Sequence, residues 1–144
     1  MTFRSVDVGV VLDMMIHDID VLLMLMEREP ERVDASAVNV LGDSEDVCNA
    51  RLTFPPDKHG FRCVANVTAS RLAMKTERKM RVFRDDAYLS IDLQQRILTV
   101  IGKRSAVPAP GELPVTIEES SYDQGDALRA EIHSFIDCIR EGKP

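Results

Sequence analysis

Asp13, His17 and Asp20 stand at D-x3-H-x2-D spacing within VVLDMMIHDIDVLLMLM. Helical residues three, four and seven apart share a face, so a helix here aligns the three polar side chains on one stripe of an otherwise apolar element. A carboxylate one turn before an imidazole holds the ring in one tautomer and stabilises its protonated form. A general acid/base histidine needs both. The same residues also fit a polar seam, in which Asp13 favours the helix dipole and His17 hydrogen-bonds within the core.

A third chemistry is metal ligation, because Asp, His and Asp can bind a divalent ion. The other histidines, His59 and His133, fall in a turn and on the last helix without ligand spacing, so no metal is assigned. The adjacent His17-Asp18 pair resembles the HD signature of metal phosphohydrolases. Those need further His and Asp ligands on an all-helical scaffold, and the strand-rich remainder of the chain argues against it. Further along, TASRLAMKTERKMRV gathers Arg71, Lys75, Arg78, Lys79 and Arg81. Such a segment either grips a substrate phosphate or diphosphate or forms a solvated loop and strand face. Tyr88 either donates a hydrogen bond to substrate or packs in a strand with its hydroxyl at the edge.

The elements that must position these groups follow from periodicity. Apolar residues at Leu12, Met15, Ile16, Ile19, Leu23 and Met26 predict a helix over 12–26. Val21 and Leu25 lie on its other side, so the helix is apolar nearly all round and calls for a layer on each face. Strands are expected over 32–41, 48–54, 61–67, 79–83, 88–91, 96–101 and 115–118, with 55–60 closing a hairpin and 102–114 an irregular loop. Leu128, Ile132, Phe135, Ile136 and Ile139 mark a last amphipathic helix, started by Asp123 or Asp126 and ended by Gly142. The order is helix, about seven strands, helix. It predicts an α+β fold with an open, mostly antiparallel β-sheet and helices packed on one face.

With 144 residues, 44% of them hydrophobic, the chain is expected to form a single domain over 1–144. Its 18 basic and 24 acidic residues leave a net charge of −6, which excludes a broad cationic surface for nucleic acid or anionic membrane. Cys48, Cys63 and Cys138 are odd in number and sit in apolar segments, so they read as buried, reduced thiols. No signal sequence or uninterrupted apolar span is seen, and a cytoplasmic location is expected. The chain has no G-x-G-x-x-G, P-loop, G-x-S-x-G or H-E-x-x-H.

The segment DVGVVLDMMIHDIDVLLML resembles the start of the C-terminal domain in the Gfo/Idh/MocA oxidoreductases, the glucose-fructose oxidoreductase and inositol dehydrogenase family. The resemblance continues through DVCNARLTF, the hairpin leading to NVTASR, the strands RKMRVF and AYLSID, and the closing AEIHSFIDCIREGKP. It implies a substrate-binding and oligomerisation domain, truncated at both ends, from an NAD- or NADP-dependent enzyme. The family's glycine-rich Rossmann domain and E-K-P lysine are missing from these residues. In the family, the histidine matching His17 is general acid/base on a sugar or polyol hydroxyl. The aspartate matching Asp13 positions substrate and the lysine, and the position matching Asp20 contacts substrate or braces the helix.

VGVVLDMMIHDID is most similar to members proposed to oxidise nucleotide-sugars such as UDP-N-acetylglucosamine, whose diphosphate would give Arg71 and Lys75 a purpose. The expectation is therefore a catalytic-residue-bearing fragment, inactive without its cofactor domain and oligomeric through its sheet face. The alternative from another class is a free-standing, non-catalytic sheet domain for dimerisation or protein binding.

Overall fold

The structure is a computed structural model that describes residues 7–104 and 112–142. The chain divides into two compact units, Met1–Lys75 and Thr76–Pro144, both within the span expected as one domain.

In unit 1, a π-helical turn, Val11–Met15, runs directly into α1, Ile16–Met26. The Ile16 N–H reaches back five residues to the Val11 carbonyl, which defines the π turn. Glu27 ends α1 in the left-handed region at φ 51°. Three strands follow, β1 (Arg32–Val38), β2 (Val47–Thr53) and β3 (Val64–Ser70), in the antiparallel order β1-β2-β3. Alternation gives this sheet two unlike faces. Register stacks Val33, Leu52 and Ala65, then Ala35, Ala50 and Val67, then Ala37, Cys48 and Ala69, on one face. Asp34, Arg51 and Asn66, and Ser36, Asn49 and Thr68, occupy the other. Val10 and Met15 close the core over the apolar face, with Ile19, Leu22, Leu23 and Met26 packed against it and Phe54 fully buried.

The hairpin between β2 and β3 is tied by Asp57, whose Oδ1 accepts from the His59 and Phe61 N–H groups at 2.8 and 2.9 Å. Those bonds hold its carboxyl below the ordinary carboxylate range. Gly60 sits at φ 86°, where a side chain would be strained. Phe61 is therefore spent on the turn, and β3 starts at Val64 rather than at 61.

Unit 2 is a four-stranded antiparallel meander, β4 (Lys79–Phe83), β5 (Ala87–Asp92), β6 (Ile97–Lys103) and β7 (Val115–Ser121), in sequential order. The strands expected as one sheet thus pair as two. β6 takes in Gly102 and Lys103, and most of the loop expected over 102–114 lies outside the described residues. Helix α2, Ala127–Glu141, is capped by Asp126, whose side chain accepts from the Arg129 N–H at 3.0 Å. Gly142 ends it at φ 64°. Its apolar stripe, Leu128, Ile132, Phe135, Ile136 and Ile139, is exposed.

Cys48 is buried and free, whereas Cys63, packed at the margin of the unit 1 core, and Cys138, on α2, are free but only partly buried. Among the described residues no helix is long and apolar enough to cross a membrane.

Candidate functional site

The helix of unit 1 has two sides of different fate. Met15, Ile19, Leu22, Leu23 and Met26 recur at i, i+4, i+7, i+8 and i+11 and form the side that meets the sheet. His17 and Asp20 are exposed and Asp13 is half-buried, on the side turned away. Leu12 and Met24, each 68% exposed, flank them together with the exposed Ile16. The second side is thus an ionisable trio framed by uncovered apolar residues. A core histidine would be enclosed and hydrogen-bonded, so the polar-seam reading does not describe an exposed His17. Among the described residues, no three His, Cys, Asp or Glu side chains are grouped to hold a metal ion.

The segment ahead of Asp13 is held by residues distant in sequence. The Val10 N–H donates to the Glu45 carbonyl at 3.0 Å, and the Val11 N–H donates to Glu45 Oε1 at 3.2 Å. A Cβ on Gly9 would collide with the Glu45 carboxylate, so glycine is what admits that side chain. Next to it, Asp46 is buried. Its Oδ2 accepts from the Val40 and Leu41 N–H groups, both at 2.7 Å, and its Oδ1 lies 3.3 Å from Arg71 Nε. The two backbone donors, Leu41 first, pull the Asp46 carboxyl below its ordinary range against the opposing effect of burial, and Arg71 adds to the lowering. Arg71 Nη2 in turn donates to the Val8 carbonyl. The Arg71 side chain is 6% exposed and that of Asp46 1%, so both belong to the interior of unit 1.

The basic residues expected to grip a phosphate are divided in sequence between the two units. Arg71 is committed to Asp46 and Val8, Lys75 is exposed at the end of unit 1, and Lys79 and Arg81 lie on β4 of unit 2. Lys79 Nζ is 3.6 Å from Asp92. Tyr88, half-buried on β5, packs its ring 5.0 Å from that of its cross-strand partner Phe83. Sequence reasoning missed Glu45 and Asp46, because GDSEDV carries every mark of an ordinary solvated turn and nothing in it points to partners some thirty residues away.

These residues offer no cradle for a dinucleotide. The N-terminus of the helical segment, where a pyrophosphate would sit in a nucleotide fold, already receives the Glu45 carboxylate, and no glycine-rich turn precedes it. What remains is the half-buried Asp13 carboxylate one helical turn before the exposed His17 imidazole.

Residues 2–90, which carry the helix and the three-stranded sheet of unit 1, match the GFO/IDH/MocA C-terminal domain. The chain belongs to this family of NAD(P)-dependent oxidoreductases. It is 37% identical over 141 residues to UDP-N-acetylglucosamine 3-dehydrogenase of Acidithiobacillus ferrooxidans, covering 98% of this chain and 43% of that protein. Solved structures of the same organism's UDP-N-acetylglucosamine 3-dehydrogenase GnnA superpose in two crystal forms. One has a TM-score of 0.81 at 36% identity, covering all of this chain and 44% of that one. The other has a TM-score of 0.78 at 33% identity, covering 99% and 42%. The chain thus spans less than half the length of the relative it matches.

Proposed function

We propose that this chain is the substrate-facing part of an NAD(P)-dependent dehydrogenase that oxidises a ring hydroxyl of a nucleotide-sugar of the UDP-N-acetylglucosamine type, working in the cytoplasm. The observation that carries the reading is the uncovered side of the helix, where Asp13, His17 and Asp20 stand among exposed apolar residues, in a chain similar along 98% of its length to a UDP-N-acetylglucosamine 3-dehydrogenase. Apolar surface left open around ionisable groups fits a site completed by a second body. Because the described residues do not fit a dinucleotide, the cofactor's domain is that second body, and the isolated chain is inactive.

Within this part, His17 accepts the proton of the substrate hydroxyl as the alcohol becomes a carbonyl. Its exposure leaves the imidazole accessible to a sugar, and Asp13, one turn earlier, orients the ring and offsets the charge it gains. Asp20, one turn beyond, contacts sugar hydroxyls as an acceptor. Lys75, exposed, meets the diphosphate, and the Tyr88 hydroxyl adds a substrate hydrogen bond. Association of two copies through the sheet of unit 2 is supported by its half-exposed apolar residues, Leu89, Ile91, Leu98 and Val100.

The test joins the chain to a nicotinamide-binding domain of the family and follows cofactor reduction with UDP-N-acetylglucosamine. His17→Ala is expected to lower the rate roughly a hundredfold or more. Full activity in that variant would overturn the acid/base assignment.

A further inference from the structure

We propose that Glu45, Asp46 and Arg71 form a positioning bracket that fixes the phase of the π turn and so sets Asp13 relative to His17. They act on the backbone just ahead of Asp13 and His17, at Val8 through the Arg71 guanidinium, at Val10 through the Glu45 carbonyl and at Val11 through Glu45 Oε1. The bracket is itself anchored. The Arg71 N–H donates to the Asp46 carbonyl at 3.0 Å, and the Asp46 N–H donates to the Val38 carbonyl at 2.9 Å, which ties it to the ends of β3 and β1.

Such an anchor has a physical task here. A π turn closes its ring with one more residue than an α turn and is rarely stable by itself. Neither Val10 nor Met15 supplies a side-chain cap to the helical segment. The first N–H groups of a helix need acceptors, and a single carboxylate from 34 residues away provides one. Without it the turn is free to rewind to the α ladder. Asp13 lies inside the turn and His17 beyond it, so rewinding rotates one against the other.

The catalytic consequence rests on the function proposed above, whereas the structural one does not, and the experiment keeps them apart. Amide exchange is measured on the 144-residue chain as wild type, Glu45→Ala, Glu45→Gln and Asp46→Asn. Glu45→Ala is expected to speed exchange at Val11 and Asp13 by about tenfold or more while Leu52 and Val67 in β2 and β3 stay protected. Glu45→Gln keeps an oxygen acceptor and is expected to behave as wild type. An unchanged rate at Val11 and Asp13, or an equal rise in all strands, overturns the bracket. Asp46→Asn is expected to loosen the same segment, and Glu45→Ala decides the matter if that variant does not fold.

In the chain joined to its cofactor domain, Glu45→Ala is expected to cut kcat roughly ten- to a hundredfold with KM little changed, and to cost nothing further in a His17→Ala background. A change in KM alone would overturn the positioning role. Loss of the His17→Ala effect itself would instead sink the acid/base reading and leave the exchange result standing.

Discussion

Unit 1 and unit 2 are assembled from similar parts, an antiparallel sheet and one helix each, yet they differ in what they bury. Among the described residues, all eight buried hydrophobic ones, from Val10 to Ala69, belong to unit 1. There the helix lays Met15 and its neighbours across the apolar face of β2 and β3. In unit 2 register collects Met80, Val82, Leu89, Ile91, Leu98 and Val100 on one face of the sheet, an equally good apolar surface, but none of them is buried. The stripe of α2 is exposed as well. Patterning decides which side of an element is apolar, and a covering layer decides whether that side gains the stability of burial, at about 25 cal/mol per Å².

The sharpest way to break this contrast is to truncate one residue in each unit and compare urea unfolding. Phe54→Ala, in the core of unit 1, is expected to cost about 3–5 kcal/mol, and Leu89→Ala, on the half-open face of unit 2, about 1–2 kcal/mol. Equal losses would mean that Leu89 is covered in solution, as association through that sheet requires.

Acid sharpens the contrast further. The folded Asp46 carboxyl lies below its ordinary value of 3.8, so its contribution is fully present above that value and is lost as pH falls through the lower folded one. The gap in urea midpoint between wild type and Asp46→Asn should therefore be wide near pH ~7 and should close toward pH ~3. A gap that stays constant with pH would show that the carboxylate charge is not what Asp46 contributes.

The smallest expected effect bypasses the contrast. Glu27 and Arg96 occupy the left-handed region at φ 51° and 61°, one in each unit. Glycine at Glu27 is expected to stabilise by about 0.5–1 kcal/mol, because this strain is local to the backbone and indifferent to the layer above, and glycine at Arg96 by less, because it also removes the hydrogen bond that Arg96 Nε donates to the Tyr122 carbonyl at 3.1 Å. Thermal melts of Glu27→Gly and Arg96→Gly check it, and a loss at either would point to a side-chain role there.

Much of the fold was legible because periodicity is a local property. β4 falls at Lys79–Phe83 as alternation predicts, and the capping pattern places α2 between Asp126 and Gly142. Misplacements arise where distant groups intervene. β1 stops at Val38 instead of 41 because the Asp46 carboxylate claims the Val40 and Leu41 N–H groups. The partition into two sheets was hidden, since alternation fixes the faces of a strand but not which strand it joins. For the site, spacing put Asp13, His17 and Asp20 on one side of a helix, and the structure has that side turned away from the sheet. The basic neighbours of Arg71 in sequence gave no sign of its buried partner Asp46, which lies 25 positions earlier.

The single turn at Val11–Met15 also changes how the helix must be drawn. A wheel with one constant angular step from Leu12 to Met26 treats the segment as uniform, although its first ring is one residue longer than the rest. An insertion or deletion of one residue within VLDMM is therefore the kind of change the backbone can absorb by switching between two helical ladders. The protein would keep its helix, but the residues ahead of the slip would face a new direction, and a gap placed there in any comparison of sequences carries a rotation as well as a shift.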